Sequence, residues 1–192
     1  FVMSVSPGPS NFILLASGVN FGFLRSLPIV LGVSAGFLSM VLAVGLGLGP
    51  VIKAYPAIAV VLKAACAAYV LWLAVKIARS SPSGGPSADK PEKPISFFQA
   101  SLFQLVNPKA WAVALIVTVS YTTPVDYGAS LIAMIVVFAV VNLPAISLWA
   151  LFGVGLRRLL SDPGKVRVFN IVMALLLVAS MVPVLLDVSL WA

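Results

Sequence analysis

Long apolar stretches alternate with short polar or basic connections along the whole chain. Each stretch is close to the ~20 predominantly apolar residues that a helix needs to cross a bilayer. The stretches cover residues 1–24, 26–48, 57–78, 97–119, 129–155 and 168–186. This pattern predicts an all-α integral membrane protein of about six transmembrane helices.

One segment departs from this pattern. Residues 80–94 read SSPSGGPSADKPEKP, with no apolar run and an excess of Pro, Ser and Gly, which is typical of a flexible linker. The predicted division is a first half at 1–79, a linker at 80–95 and a second half at 96–192. Three helices in each half favour a 3+3 inverted-repeat arrangement, because halves with an odd number of helices insert with opposite topology.

The composition places the surface of the protein in lipid. Of the 192 residues, 61% are hydrophobic and only 9% are charged, whereas soluble domains carry roughly 25% charged residues. The net charge of +7 comes mostly from Lys and Arg in the first, third and fifth connections, and such connections are cytoplasmic by the positive-inside rule. The linker is therefore predicted to be cytoplasmic and both termini to lie outside. We therefore interpret the positive charge as a determinant of membrane topology and not as a nucleic-acid binding surface.

Two further features limit the chemistry. The chain has no His, and its single cysteine, Cys66, allows neither an internal disulfide nor a cysteine metal cluster. We therefore expect no bound metal and no cofactor.

The chain opens at Phe1 without Met or a charged leading region, so we expect a first helix that is cut short and no signal peptide.

The first predicted helix contains a sequence that interrupts it. Pro7-Gly8-Pro9-Ser10-Asn11 places two prolines around a glycine, and a proline removes a backbone donor and clashes with the preceding turn. The backbone groups freed by such a break must be buried in protein or line a wet cavity, because lipid cannot satisfy them. Ser10 and Asn11 are predicted to cap the continuing half-helix. The alternative is a simple kink, or a helix start near the interface.

A second interruption, Asn107-Pro108-Lys109, lies about 11 residues into the fourth stretch and so near mid-depth. Pro108 interrupts the helical hydrogen bonds, Asn107 can cap the helix that follows, and Lys109 is charged. An ionisable residue inside the membrane is a functional candidate by default. The alternative is that Lys109 snorkels toward the cytoplasmic interface. Gln99 and Gln104, which precede the break, are placed on the cytoplasmic approach.

Other polar and glycine residues support a third interruption and close helix packing. Asn142-Leu143-Pro144 predicts an interruption of the fifth stretch. Asn142 then either binds substrate or bridges to another helix, as intramembrane asparagines often do. Gly32 and Gly36 have the GxxxG spacing that permits close helix packing.

The first two interruptions occupy the first helix of each half, and matching breaks of this kind are the best sequence pointer to a transporter site. A half-helix that begins at a break presents free N–H groups and the positive end of its dipole. Two such ends with Lys109 predict a site for an anionic group such as a carboxylate. The predicted substrate-binding residues are Pro7, Gly8, Pro9, Ser10, Asn11, Asn107, Pro108, Lys109 and Asn142.

Acidic residues are missing from the apolar stretches, since all of them fall in the linker, the connections or the terminus. A proton path through a buried carboxylate therefore has no candidate, and a ligand that is only a cation would lack a counter-ion. This favours a ligand bearing a carboxylate, whose ammonium would be met by carbonyls and Asn side chains.

The interrupted segments resemble the LysE/RhtB family of amino-acid exporters. The similarity rests on PGPSNFILLASGVNFG at 7–22, LVNPKAWAVAL at 105–115 and VNLPAISLWALFG at 141–153, and it covers almost the whole chain. The family's proline motifs fall on Pro7, Gly8, Pro9, Asn107 and Pro108. The resemblance implies a bacterial inner-membrane protein that exports amino acids or their derivatives, such as lysine, threonine, homoserine or cysteine metabolites, without fixing which one.

Secondary export of a small amino acid is thus the leading hypothesis. The energy would come from an ion or substrate gradient, since no GxxxxGK[ST] nucleotide motif occurs. The alternative is a divalent-metal or other small-ion exporter, for which acidic ligands are missing from the stretches. An enzyme using Lys109 as a base would lack a His, a buried carboxylate and a nucleophile pair. A homodimer in the bilayer is left open.

Overall fold

The computed structural model describes residues 1–48, 55–80, 93–160, 162–180 and 182, and all regular elements in that part of the chain are helical. The helices are α1 (Val2–Val5), α2 (Pro9–Phe21), α3 (Phe23–Gly45), α4 (Pro56–Arg79), α5 (Phe97–Val106), α6 (Pro108–Tyr121), α7 (Tyr127–Arg157) and α8 (Pro163–Ala179). Most of the predicted linker lies outside the described residues, as does the end of the sixth apolar stretch.

Two of these helices, α3 and α7, are long and apolar enough to cross a bilayer. The pair α5 and α6 adds a third crossing if it is counted as one span bent by 71° at Asn107, and α4 contributes a shorter apolar segment, Ala64–Ala78. Large apolar side chains are exposed on the helix surfaces, such as Val119 at 81% and Val140 at 69%, as suits a surface facing lipid. An all-α membrane protein is confirmed in this form, while the six spans and the 3+3 arrangement stay predictions.

Local sequence explains where several helices begin and end. Ser96 and Gln99 form a reciprocal capping box at the start of α5. The side chain of Asp162 accepts a hydrogen bond from the amide of Gly164 at 2.6 Å and so caps α8. Gly22 turns the chain between α2 and α3 with φ of +80°, a backbone conformation that glycine adopts readily because it has no Cβ.

Glycines let α2 and α7 cross at backbone contact. A Cβ atom built on Gly153 would lie 2.9 Å from Gly18 Cα, and one built on Gly18 would lie 3.0 Å from Gly153 Cα. Side chains in the core of a protein do not approach backbone atoms this closely. The two helices therefore pack at a distance that no larger residue permits.

The GxxxG pair of α3 meets α5 in the same way. A Cβ atom on Gly36 would lie 2.5 Å from Ser101 O, and one on Gly32 would lie 2.9 Å from Ala100 Cβ. The hydroxyl of Ser101 also donates to Gly32 O at 2.9 Å. Close packing is thus the role of this pair, as its spacing predicts.

The fifth stretch corrects one prediction. The helix α7 runs unbroken from Tyr127 to Arg157 with Pro144 inside it, so the predicted interruption at Asn142-Leu143-Pro144 is wrong. One proline costs one intrahelical hydrogen bond, and a long helix packed against neighbours tolerates that loss. The first break differs because it has two prolines with a glycine between them. The second break differs because an asparagine directly before its proline caps the helix that follows.

Candidate functional site

The two predicted breaks meet in space. The helix α2 begins at Pro9 after one break, α6 begins at Pro108 after the other, and buried polar side chains join them. Ser10 Oγ accepts hydrogen bonds from Asn107 Nδ2 at 2.7 Å and from Gln104 Nε2 at 3.0 Å. Ser10, Gln104 and Asn107 are each at most 8% exposed. A buried amide or hydroxyl must find a partner, and Ser10 finds its partners at the second break, where Asn107 Nδ2 also donates to Gln104 Oε1 at 3.1 Å.

The first break exposes carbonyls that the prolines leave without helical partners. Pro7 and Pro9 carry no N–H, so the carbonyls four residues earlier, those of Met3 and Val5, need other donors. Ser6 Oγ donates to Met3 O at 3.0 Å, and Trp149 Nε1 of α7 donates to Val5 O at 3.0 Å. Side chains therefore supply the donors that the prolines lack.

The capping role predicted for Ser10 and Asn11 is wrong. Gly8 occupies the N-cap position of α2 and no side chain caps it, so Ser10 and Asn11 lie inside the first turn. Asn11 Nδ2 instead donates back across the break to Ser6 O at 2.8 Å and to Ser4 O at 3.1 Å.

The second break has the predicted cap. Asn107 is the N-cap of α6, and its Oδ1 accepts from the amide of Lys109 at 3.2 Å. That amide would otherwise bond to Leu105 O, which instead accepts from Trp111 Nε1 at 2.8 Å. The expectation of a free amide at this helix start therefore does not hold at Lys109. The positive end of the helix dipole remains.

The Lys109 side chain crosses from the second break to the first. Its Nζ lies 2.5 Å from Ser6 O and 2.8 Å from Ser6 Oγ, to which it donates. The side chain runs over Gly8, where a Cβ atom would lie 2.7 Å from Lys109 Cδ. The ammonium of this half-buried lysine thus ends on the broken first stretch, where polar oxygens take the place of an ionic partner.

These groups surround a cavity of about 50 Å³, enough for a few water molecules. Its polar wall consists of Ser4, Gly8, Ser10, Asn11, Gln104, Asn107, Lys109 and Asn142, and its apolar wall includes Phe37 and Phe138. The two rings lie 5.6 Å apart between centroids. Asn142 both lines the cavity and bridges to α3, because its Nδ2 lies 3.4 Å from Ser34 Oγ. The two interpretations of Asn142 are therefore compatible.

The sequence profile of the family described as LysE type translocator matches residues 1–186. The chain belongs to the LysE type translocator family. Relatives named "Cysteine/O-acetylserine efflux protein", from Escherichia coli strains HS and K12 and from Shigella flexneri serotype 5b, are each 34% identical to it over 180 residues. The match covers 92% of this chain and 89% of each relative. No solved structure matches the chain significantly.

The LysE resemblance is thus confirmed, and the family match and the relatives' names support an amino-acid exporter. Neither supports the metal-exporter alternative. Among the described residues no group of three His, Cys, Asp or Glu side chains is placed to hold a metal ion.

The structure gathers most but not all of the predicted site residues at the cavity. Pro7, Pro9 and Pro108 do not line it; Pro7 is exposed, and the prolines shape the breaks instead. Gln104, placed by sequence on the approach, belongs to the cavity wall, whereas Gln99 lies elsewhere and accepts from Lys76. The sequence signal that could have placed Gln104 at the cavity is its spacing of three residues, about one helical turn, from Asn107.

Proposed function

We propose that this LysE type translocator exports a small zwitterionic amino acid, with cysteine and O-acetylserine as the first candidates. The observation that carries the proposal is a lysine ammonium held in a cavity between two broken helices. Among the described residues that line the cavity, none is acidic. Such a site suits a ligand that brings its own negative charge.

The carboxylate is proposed to bind Lys109 at the start of α6. An ammonium and the positive end of a helix both favour an anion there, and hydrogen bonds between charged groups are about twice as strong as neutral ones. The amide groups of Gln104 and Asn142 supply further polar contacts, and a short side chain packs against Phe37 and Phe138. The cavity of about 50 Å³ is too small for a whole amino acid, so binding requires the wall to move.

The proposed membrane arrangement is six spans in two inverted halves in the bacterial inner membrane, with a cytoplasmic linker. The helix pairing supports it. The helix that follows each break packs on the second span of the other half, α2 on α7 and α6 on α3. The helix that precedes each break packs on the same span, α1 on α7 and α5 on α3. Two halves related by a pseudo-twofold axis in the membrane plane would produce this reciprocal pairing and bring the two breaks together at the axis.

The proposal is tested by uptake of labelled cysteine and O-acetylserine into inverted membrane vesicles, in which an exporter carries substrate inward. Lys109→Met keeps side-chain length and removes the charge, so uptake should fall by at least about ten-fold, the value of one charge-assisted hydrogen bond. The exposed Lys165, at the start of α8, provides a matched control, and Lys165→Met should transport normally.

Two outcomes would contradict the proposal. Wild-type vesicles that accumulate neither amino acid above vesicles without the protein would remove the proposed substrates. Uptake of a divalent cation in place of an amino acid would instead support the ion-exporter alternative.

A further inference from the structure

Three carbonyls at the end of α1 and just after it, those of Ser4, Val5 and Ser6, accept hydrogen bonds from donors in other helices. Ser4 O accepts from Asn11 Nδ2 of α2 at 3.1 Å, and Ser6 O accepts from the same nitrogen at 2.8 Å. Val5 O accepts from the Trp149 ring of α7, and Ser6 O also accepts from Lys109 Nζ of α6 at 2.5 Å. Ser4 lines the cavity, and Ser6 O is joined to the cavity by Lys109, which lines it and donates to that carbonyl. We call Ser4 O and Ser6 O with Ser6 Oγ the carbonyl cradle.

The group that sits in the cradle is a primary ammonium. Lys109 Nζ contacts Ser6 O and Ser6 Oγ, and Lys109 is the one charged side chain among the described residues lining the cavity. Its positive charge is thus balanced by dipoles. An amino acid carries the same functional group, so a cradle that holds the lysine ammonium has the chemistry to hold the ammonium of a ligand.

We infer that Lys109 occupies the substrate's ammonium subsite while the cavity is empty, and that substrate binding is an exchange. The inference rests on the proposed function. The substrate carboxylate draws Lys109 Nζ away from Ser6, and the substrate ammonium takes its place in the cradle. No covalent bond forms or breaks, and the total charge in contact with the α1 carbonyls stays the same.

Two features of the geometry favour this exchange. The Lys109 side chain crosses over Gly8, which has no side chain of its own to block a rotation. When Nζ leaves Ser6, the space that it filled is added to the cavity. Ser6 O accepts from an ammonium before and after the exchange and from Asn11 Nδ2 in both states, so the exchange does not leave this carbonyl unpaired.

Exchange makes the site selective for ligands that carry both charges. A simple amine must displace a tethered ammonium and offers the displaced lysine no carboxylate in return. A simple carboxylate pairs with Lys109 but leaves the cradle empty. Only a zwitterion satisfies the lysine and the cradle together.

The test compares cysteine with cysteamine, which is the same molecule without the carboxylate, for binding to the full-length protein in nanodiscs under reductant. Wild-type protein should bind cysteine at least about ten-fold more tightly than cysteamine. In Lys109→Met no lysine ammonium competes for the cradle, so cysteamine should bind at least about ten-fold more tightly than to wild type, while cysteine, which loses the partner of its carboxylate, binds more weakly. Lys109→Gln, which keeps a polar side chain in the polar cavity, is the second variant and should reverse the preference in the same direction. Lys165→Met should behave as wild type.

The results separate the inference from the function on which it rests. If both Lys109 variants lose cysteine without gaining cysteamine, the cradle is not an ammonium subsite and the inference fails while the proposed export stands. Unchanged cysteine binding in these variants would also overturn it, because Lys109 would then not meet the carboxylate. A wild-type protein that neither binds nor exports cysteine or O-acetylserine would overturn the proposed function itself.

Discussion

The crossing of α2 and α7 makes a strong prediction about stability, through Gly153→Ala. The added Cβ would lie 2.9 Å from Gly18 Cα and 2.9 Å from Val19 N, whereas ordinary contacts begin at 3.4 Å. Both neighbours are backbone atoms, which cannot rotate aside, so the helices must separate by roughly 0.5–1 Å along their contact. Overpacking of a core costs ~1–3 kcal/mol, and we expect the upper part of that range because the separation also loosens neighbouring contacts.

The assay is reversible unfolding of the purified protein in mixed micelles by a denaturing detergent, followed by Trp fluorescence. Gly155→Ala is the matched control, since Gly155 lies two residues further along α7 and a Cβ there meets nothing within 4 Å. Both substitutions gain the same helix propensity, up to about 1 kcal/mol. We therefore expect Gly155→Ala to unfold at or above the wild-type midpoint and Gly153→Ala clearly below it. Equal midpoints for the two variants would refute the close crossing.

Three further predictions use other features of the chain. Asn20→Leu should lower the free energy of unfolding by ~1–3 kcal/mol, measured in the same assay, because Asn170 Oδ1 then loses the donor at 2.7 Å in a fully buried pair; an unchanged midpoint would contradict this. Replacing Pro7 and Pro9 together by Ala should restore a continuous helix and abolish export while insertion persists, and full export by a well-expressed variant would make the prolines a mere kink. A cysteine at Gly85, in a cysteine-free background, should resist an impermeant thiol reagent added outside intact cells; ready labelling would invert the topology.

The positions of the two breaks were predictable because their cause is local. A proline has no N–H wherever it stands, so the prolines around Gly8 and the one after Asn107 interrupt helical hydrogen bonding whatever surrounds them. The cap of α6 is equally local, since Asn107 needs only the amide two residues on. The predicted meeting of the breaks at a cavity with Lys109 follows from the same logic, because neither break can face lipid.

The partners of each group at the site were not predictable from sequence. Local pattern gives no information on which side chain crosses to a break, so the pairings of Lys109 with Ser6 and of Gln104 with Ser10 required the structure. The caps proposed for α2 failed for a different reason. A capping prediction fails if the start of the helix is misplaced by a single residue. The helix α2 starts at Pro9, one residue before Ser10, because proline is favoured as the first residue of a helix.

The hydrogen bonds that stabilise the breaks are also the hydrogen bonds of the cavity. Each buried polar group left unpaired costs ~1–3 kcal/mol, and the two breaks avoid that cost with partners from within each break and with partners from the opposite break. Ser10 accepts from the second break, and Ser6 accepts from Lys109 beyond it. A ligand that separates these groups must therefore replace the partners that it displaces, since each carbonyl or amide left unpaired would carry that cost. The hydrogen bonds that stabilise the breaks therefore also decide which ligand fits. The ligand must present both a donor and an acceptor, separated by the short distance between the two breaks.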